Sequence, residues 1–288
     1  MSSVETQLVL LWLAVSFCFL ATVCFFSALS FKNEKLQNYG VACAHIAILP
    51  MAAALVLRWM QTGHVPSIGA YEVYTIYAGG VLLFYNFIQY WKPKVTIAGT
   101  VVLPVVTLMT GIGVMSSNEL TELPKTYFTY WLGIHMLFAT LALGGVLVAA
   151  GLSIAYLVKG RQEAGGRVNP LMEKLPDLDK LDYLGHRITL FAFLMIGIMI
   201  ASGAVWAYKS WGRYWGWDPI ETWSLISWLV YGLYLHLRLT GVKGKLASWL
   251  HIAVVAIVVF SFYGAPYLYP TIHDRFVDAN SIYLQGSD

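Results

Sequence analysis

The chain has 288 residues, 58% of them hydrophobic and only 11% charged, with a formal net charge of +3. That balance excludes an ordinary soluble globular domain. The small excess of basic residues, with no basic stripe, excludes a nucleic-acid surface.

Apolar runs of membrane-spanning length recur from one end to the other. Eight are read, at about 6–29, 39–60, 71–91, 95–116, 127–158, 187–208, 221–240 and 248–268. The first is too long for a signal-peptide core, has no basic residue before it and lacks a clear small-residue cleavage site, so it reads as a retained span. Lipid forces backbone groups to be satisfied within helices, which makes the expected fold all-α. Residues 1–288 are expected to form one polytopic membrane helical bundle of about eight transmembrane helices. The three cysteines, Cys18, Cys24 and Cys43, form no Cys-x-x-Cys pattern. They read as small buried hydrophobes, with no thiol relay and no covalently held haem on this chain.

Eight spans put both termini on one side. The loops after spans one, three, five and seven hold Lys32, Lys35, Lys92, Lys94, Lys159, Arg161, Arg167, Lys174, Lys180, Arg187, Arg238, Lys243 and Lys245. The opposite side holds Arg58, Lys125, Lys209, Arg213 and Arg275. The positive-inside rule places the larger set in the cytoplasm and both termini outside. The long connection at about 159–186 is then cytoplasmic. Its leucines, spaced three or four apart among charges, predict short amphipathic helices on the membrane surface, interrupted at Pro176. No Gly-x-Gly-x-x-Gly or phosphate loop occurs.

The segment at about 209–220 is external and unusually aromatic: Trp211-Gly-Arg-Tyr-Trp-Gly-Trp-Asp-Pro219. An interfacial aromatic belt is one explanation, but a belt spreads its rings over many loops. Concentrated Trp faces suit a flat apolar ligand such as haem, and Arg213 suits its carboxylates. Asp218, Pro219 and Glu221 have the pattern of an N-cap, a first-turn proline and a capping box, and so start the next helix.

Seven histidines are available, and an ionisable group within a span is a functional candidate. His135 lies about two turns inside span five on the face of Phe128 and Trp131. His273 follows span eight on the same side, so the two are candidates for opposite axial positions on one haem iron. His236 lies fifteen residues past Glu221, about 22 Å deeper along a helix, and requires a second site. His45, His186 and His251 near inner helix ends and His64 in an outer loop read as ordinary hydrogen-bonded histidines.

The stretch Ser202-Gly-Ala-Val-Trp-Ala, the Trp-rich loop through Glu221-Thr-Trp223 and Tyr234-Leu-His-Leu-Arg238 resemble the CcsA/ResC family, the WWD-domain membrane subunit of the system II cytochrome c synthase. Gly63-His-Val-Pro66, Tyr71-Glu72 and Tyr130-Trp-Leu-Gly-Ile-His135 resemble further segments of that family. The resemblance implies haem b as substrate and bound ligand. It implies His135 and His273 as external iron ligands and His236 as an intramembrane one. Trp211, Trp215, Trp217 and Asp218 would form the WWD core around the ring, with Arg213 at a propionate. His273 departs from the family in lacking the Ser-Tyr-Gly continuation. The implied reaction joins haem to the Cys-x-x-Cys-His motif of apocytochrome c. The implied partners are a CcsB/ResB-like membrane protein, thiol-reducing maturation proteins and membrane lipid, and the chain alone would be inactive. The implied location is a bacterial inner membrane with the loop periplasmic, or a thylakoid with it lumenal. The alternative is a CcmC-like haem exporter that passes haem to a chaperone without attaching it.

Overall fold

The structure is a computed structural model describing residues 3–119 and 129–273. Lys125, Phe128 and Arg275 lie outside the described residues. Among the described residues all regular structure is helical. Helices α1 (Ser3–Phe31) and α2 (Glu34–Thr62) form a hairpin whose turn is capped by Asn33, its side chain accepting from the Lys35 N–H. The buried positions of α1 are Gln7, Leu11, Ala14, Cys18, Ala21, Phe25 and Ala28, and those of α2 are Gly40, Ala44, Ala47, Met51, Ala54 and Arg58. Both sets alternate steps of four and three, the repeat of a packed helix seam. Small residues on that seam let the two backbones approach closely.

Helix α3 (Gly69–Trp91) leads through a 3-10 turn, Pro93–Ala98, into α4 (Gly99–Met115). With α1 and α2 they enclose a core around Leu82, Tyr85 and Leu103. Helix α5 (Tyr130–Ala164) runs through the middle of the molecule, against α3 and α4 on one side and α7 (Leu178–Trp211) and α9 (Gly244–Val259) on the other. Helix α8 (Pro219–Leu239) closes the second half. After α9 a π turn, Phe260–Gly264, and a single α turn, α10 (Ala265–Leu268), end the described helices.

Among the described residues, six segments are long and apolar enough to cross a membrane: Ser3–Phe31, Glu34–Thr62, Pro93–Met115, Tyr130–Ala164, Leu178–Trp211 and Gly244–Leu268. The remaining two expected spans are helices of 23 residues (α3) and 21 residues (α8). Their frequent Tyr and Trp residues lower the apolar average without shortening the helix.

The connection at 159–186 departs from a set of surface helices. Helix α5 continues to Ala164 and α7 begins at Leu178, which leaves one short helix between them, α6 (Pro170–Glu173). Met172 and Leu181 are buried against Val95, Ile97, Leu152 and Ala155. Lys159 is held inside by its Nζ donating to the carbonyls of Leu175 (2.9 Å) and Pro176 (2.8 Å). The apolar spacing is thus used to cap one end of the bundle. At the opposite end, Arg58 and Glu72 form a buried pair at 2.6 Å, and the Glu72 carboxylate also accepts from the Ser67 and Ile68 N–H groups. Arg58 further donates to the carbonyls of Asn118 and Glu119, binding the start of α3 to the segment after α4.

Candidate functional site

The aromatic loop is fixed at both ends by its own sequence. Gly212, at φ 75°, ends α7 with its N–H on the Tyr208 carbonyl. Asp218 and Glu221 form the expected capping box at the start of α8. The Glu221 carboxylate accepts from the N–H groups of Gly216 (2.7 Å) and Asp218 (3.2 Å), one on each side of Trp217. Trp217 itself sits at φ 58°, a left-handed conformation costing a bulky residue about 1 kcal/mol or more.

Asp218 does more than cap. The residue is 7% exposed and its side chain 4%. One oxygen accepts from the Ile220 N–H (3.0 Å), the Thr271 hydroxyl (2.7 Å) and His273 Nδ1 (3.1 Å). The other accepts from Thr271 (2.8 Å) and the Ile272 N–H (2.9 Å). Burial pushes the acid up, but the hydrogen bonds from His273, Thr271 and Ile272 outweigh it and hold Asp218 at about 2. It is therefore an ionised acceptor that ties residues 271–273 to the start of α8. The His273 ring also meets Trp211 edge-to-face at 5.0 Å.

His135 reaches the same place from α5. Its Nδ1 lies 2.9 Å from the Met199 carbonyl of α7. Its ring rests on Gly203, where a Cβ would come within 2.7 Å of Nδ1. A carbonyl can only accept, so that contact fixes Nδ1–H; the carboxylate does the same for His273. In each imidazole the proton is thereby placed on Nδ1.

Both histidines line two adjoining cavities. One, of about 150 Å³, lies between α3, α5, α7 and α8, with Tyr77, Met136, Trp206 and Phe262 in its walls. The other, of about 90 Å³, lies beneath the aromatic loop, with Gly203, Tyr214, Trp215 and Glu221. The π turn brings Ser261 and Phe262 to the first cavity, which fits the habit of such turns to occur at functional sites. Paired imidazoles beside a mostly apolar, aromatic lining are the kind of donor set a haem iron takes. Among the described residues no group of three or more His, Cys, Asp or Glu would hold a bare metal ion. A porphyrin iron needs only two axial ligands from the protein, because its ring supplies the other four.

The remaining sequence candidates are placed differently from one another. Trp215 lines the second cavity. Trp211 packs on His273 and Trp206. Trp217 is 70% exposed and meets Trp215 edge-to-face, lining neither cavity. Arg213 is exposed, with its guanidinium folded over Gly216. His236 is exposed in the last turn of α8. Two residues on, Arg238 makes a two-pronged pair with Asp182, both bonds 2.7 Å. His45 and His64 hydrogen-bond to the nearby carbonyls of Val41 and Val65. His251 is almost wholly buried among Ser153, Thr189 and Tyr231 hydroxyls. Sequence reasoning missed Met199, Gly203 and Thr271, although Gly203 lies in a segment already singled out and Thr271 only two residues before His273.

The family profile described as "Cytochrome C assembly protein" matches residues 67–273. Curated relatives include proteins titled "Cytochrome c biogenesis protein CcsA". That from Cyanophora paradoxa is 27% identical over 93% of this chain and 96% of its own length. That from Guillardia theta is 28% identical over 88% and 91%. That from Synechococcus sp. (strain CC9902) is 30% identical over 83% and 85%. Among solved structures the fold resembles "Cytochrome c Heme Lyase CcmF", with a TM-score of 0.69 at 17% identity. The likeness covers 95% of this chain and 48% of that one, so this chain spans about half of it.

Proposed function

The chain belongs to the cytochrome C assembly protein family, and from that premise we propose that it receives haem b at the outer membrane face and presents it to apocytochrome c. It is a multi-pass membrane protein of cytochrome c biogenesis. The observation that carries the finer reading is that His135 and His273, from distant parts of the chain, line the same two cavities with Nδ1 of each already engaged.

Haem is the substrate here, not a resident cofactor. Its iron takes His135 and His273 as axial ligands, and the aromatic walls hold the ring. A reduced Cys-x-x-Cys-His segment of apocytochrome c is brought against the vinyl groups. Each thiol adds across one vinyl: the sulfur bonds one carbon, the thiol hydrogen ends on the other, and nothing leaves. This addition needs no acid or base from the chain, so its contribution is positioning. Thiol-reducing proteins keep the substrate cysteines free, and a CcsB/ResB-like membrane protein completes the synthase. The aromatic loop is external, periplasmic or lumenal, because the more basic loops lie on the other side.

The test is an optical spectrum of the purified protein with and without its histidines. His135→Ala and His273→Ala should each lower external haem, and added imidazole should restore part of it by filling the vacated position. Unchanged spectra in both variants would overturn the proposal.

A further inference from the structure

The two external histidines are held in unlike ways, and that difference identifies which one yields to the substrate. This rests on the proposed haem site. An incoming Cys-x-x-Cys-His segment carries its own histidine, which must take one axial position. His135 is part of a 35-residue helix, with its ring seated against Gly203 and its Nδ1 on the Met199 backbone of a second long helix. Moving it requires α5 and α7 to separate. His273 stands beyond the last helical turn, Ala265–Leu268, on a non-helical segment. Thr271, Ile272 and His273 all bond to a single carboxylate, that of Asp218. Moving His273 requires that this cluster of hydrogen bonds open and that the ring leave Trp211 and Trp206, but no long helix has to move with it.

We infer that His273 is the exchangeable axial ligand and that Asp218 is the latch that delivers and releases it, while His135 stays bound throughout. Asp218 touches neither haem nor substrate in this scheme; it is a positioning residue acting through His273. The exchange breaks one iron–nitrogen bond and makes another between neutral imidazoles, with no change in iron oxidation state. The latch also joins the exchange to the aromatic loop. Asp218 starts α8, and Glu221, its capping-box partner, holds the loop's Gly216. A substrate that presses on the loop therefore acts on the carboxylate that keeps His273 in place.

The experiment follows ligand exchange rather than cytochrome yield. Purified haem-loaded protein is mixed with imidazole, or with a Cys-x-x-Cys-His peptide whose thiols are alkylated, and the axial-ligand spectrum is followed in time. Asp218→Ala should speed exchange at least tenfold. Thr271→Val, which leaves the α8 cap in place, should speed it by a smaller factor. Gly203→Ala, which crowds His135, should lower the haem content but leave the exchange rate of the retained haem unchanged. Faster exchange in Gly203→Ala with no change in the two latch variants would make His135 the leaving ligand and overturn the inference. A wild-type spectrum without bis-imidazole character would overturn the underlying site, a result distinct from either rate outcome.

Discussion

At the scale of single residues, the site depends on contacts that a sequence shows unevenly. His135 and His273 were legible, because imidazoles near the outer ends of apolar spans are rare and demand explanation. Their orientation was not, because it is set by a backbone carbonyl 64 residues away and by the absence of a side chain at Gly203. Gly203→Ala separates these effects. In a helix interior, Gly to Ala normally stabilises by roughly 0.5–1 kcal/mol. Here the new methyl would lie 2.7 Å from His135 Nδ1 and 3.0 Å from Cε1. The expected outcome is an unchanged or raised melting temperature together with loss of most external haem, measured as haem per protein. Loss of haem only in proportion to loss of folded protein would contradict it. Asp218→Asn is a second case. Asn also caps helices well, so capping alone predicts a mild effect. The structure gives both Asp218 oxygens acceptor duties, and an Asn NH₂ facing the Ile272 N–H would be repelled. The Asn variant should therefore melt like wild type but retain several-fold less external haem; equal retention would leave capping as the only role.

At the scale of elements, apolar length found the helices and turn chemistry found some of their ends. Asp218-Pro219-Ile-Glu221 marked the start of α8 without error, since a capping box is a local signal. Helices α5 and α7 extend past the hydrocarbon-length runs, α5 through the helix-forming Lys, Arg, Gln and Glu of 159–163 and α7 from its Asp177 cap with Asp179 in the first turn. The π turn after α9 had no signal, since nothing in Phe260-Ser-Phe-Tyr-Gly264 distinguishes it from ordinary helix. The pairing of α2 with α3 was also hidden: Arg58 counted as a loop charge, yet it is 3% exposed and paired with Glu72. Removing one partner of a buried pair strands the other, at a cost of roughly 3–5 kcal/mol. Arg58→Met should therefore lower the melting temperature in detergent sharply. Arg58→Met with Glu72→Gln should recover a substantial part, because no buried charge is then stranded. A double variant as unstable as the single one would mean that the Glu72 bonds to Ser67 and Ile68 dominate.

At the scale of the whole molecule, the two ends of the bundle carry different sets of polar groups. The alternation of helices leaves His135, His273, Asp218 and the Arg58–Glu72 pair at one end, and Lys159, Asp182 and Arg238 at the other. His236 belongs to the second end and is exposed. Arg238, two residues along and so on another face of the helix, is drawn inward by Asp182. The Asp182 carboxylate also accepts from the Gly244 N–H, which fixes the turn into α9 and with it the rotation of α8. An outward imidazole in the last turn of α8 stands at the membrane boundary, where a group from another chain could meet it. His251 is enclosed in the core and His45 is bonded to its own helix, which leaves His186, whose buried Nδ1 has no hydrogen-bond partner, or a ligand from outside this chain as the second axial ligand of an iron held by His236. The expectation is that the chain expressed alone holds external haem at best, while co-expression with a CcsB/ResB-like membrane protein adds a second haem. His236→Ala should abolish that second haem and leave the first in place, measured by haem stoichiometry and axial-ligand spectra of the purified complex. Two haems bound by the chain alone, both surviving His236→Ala, would show that its other histidines suffice and that the outward imidazole serves something else.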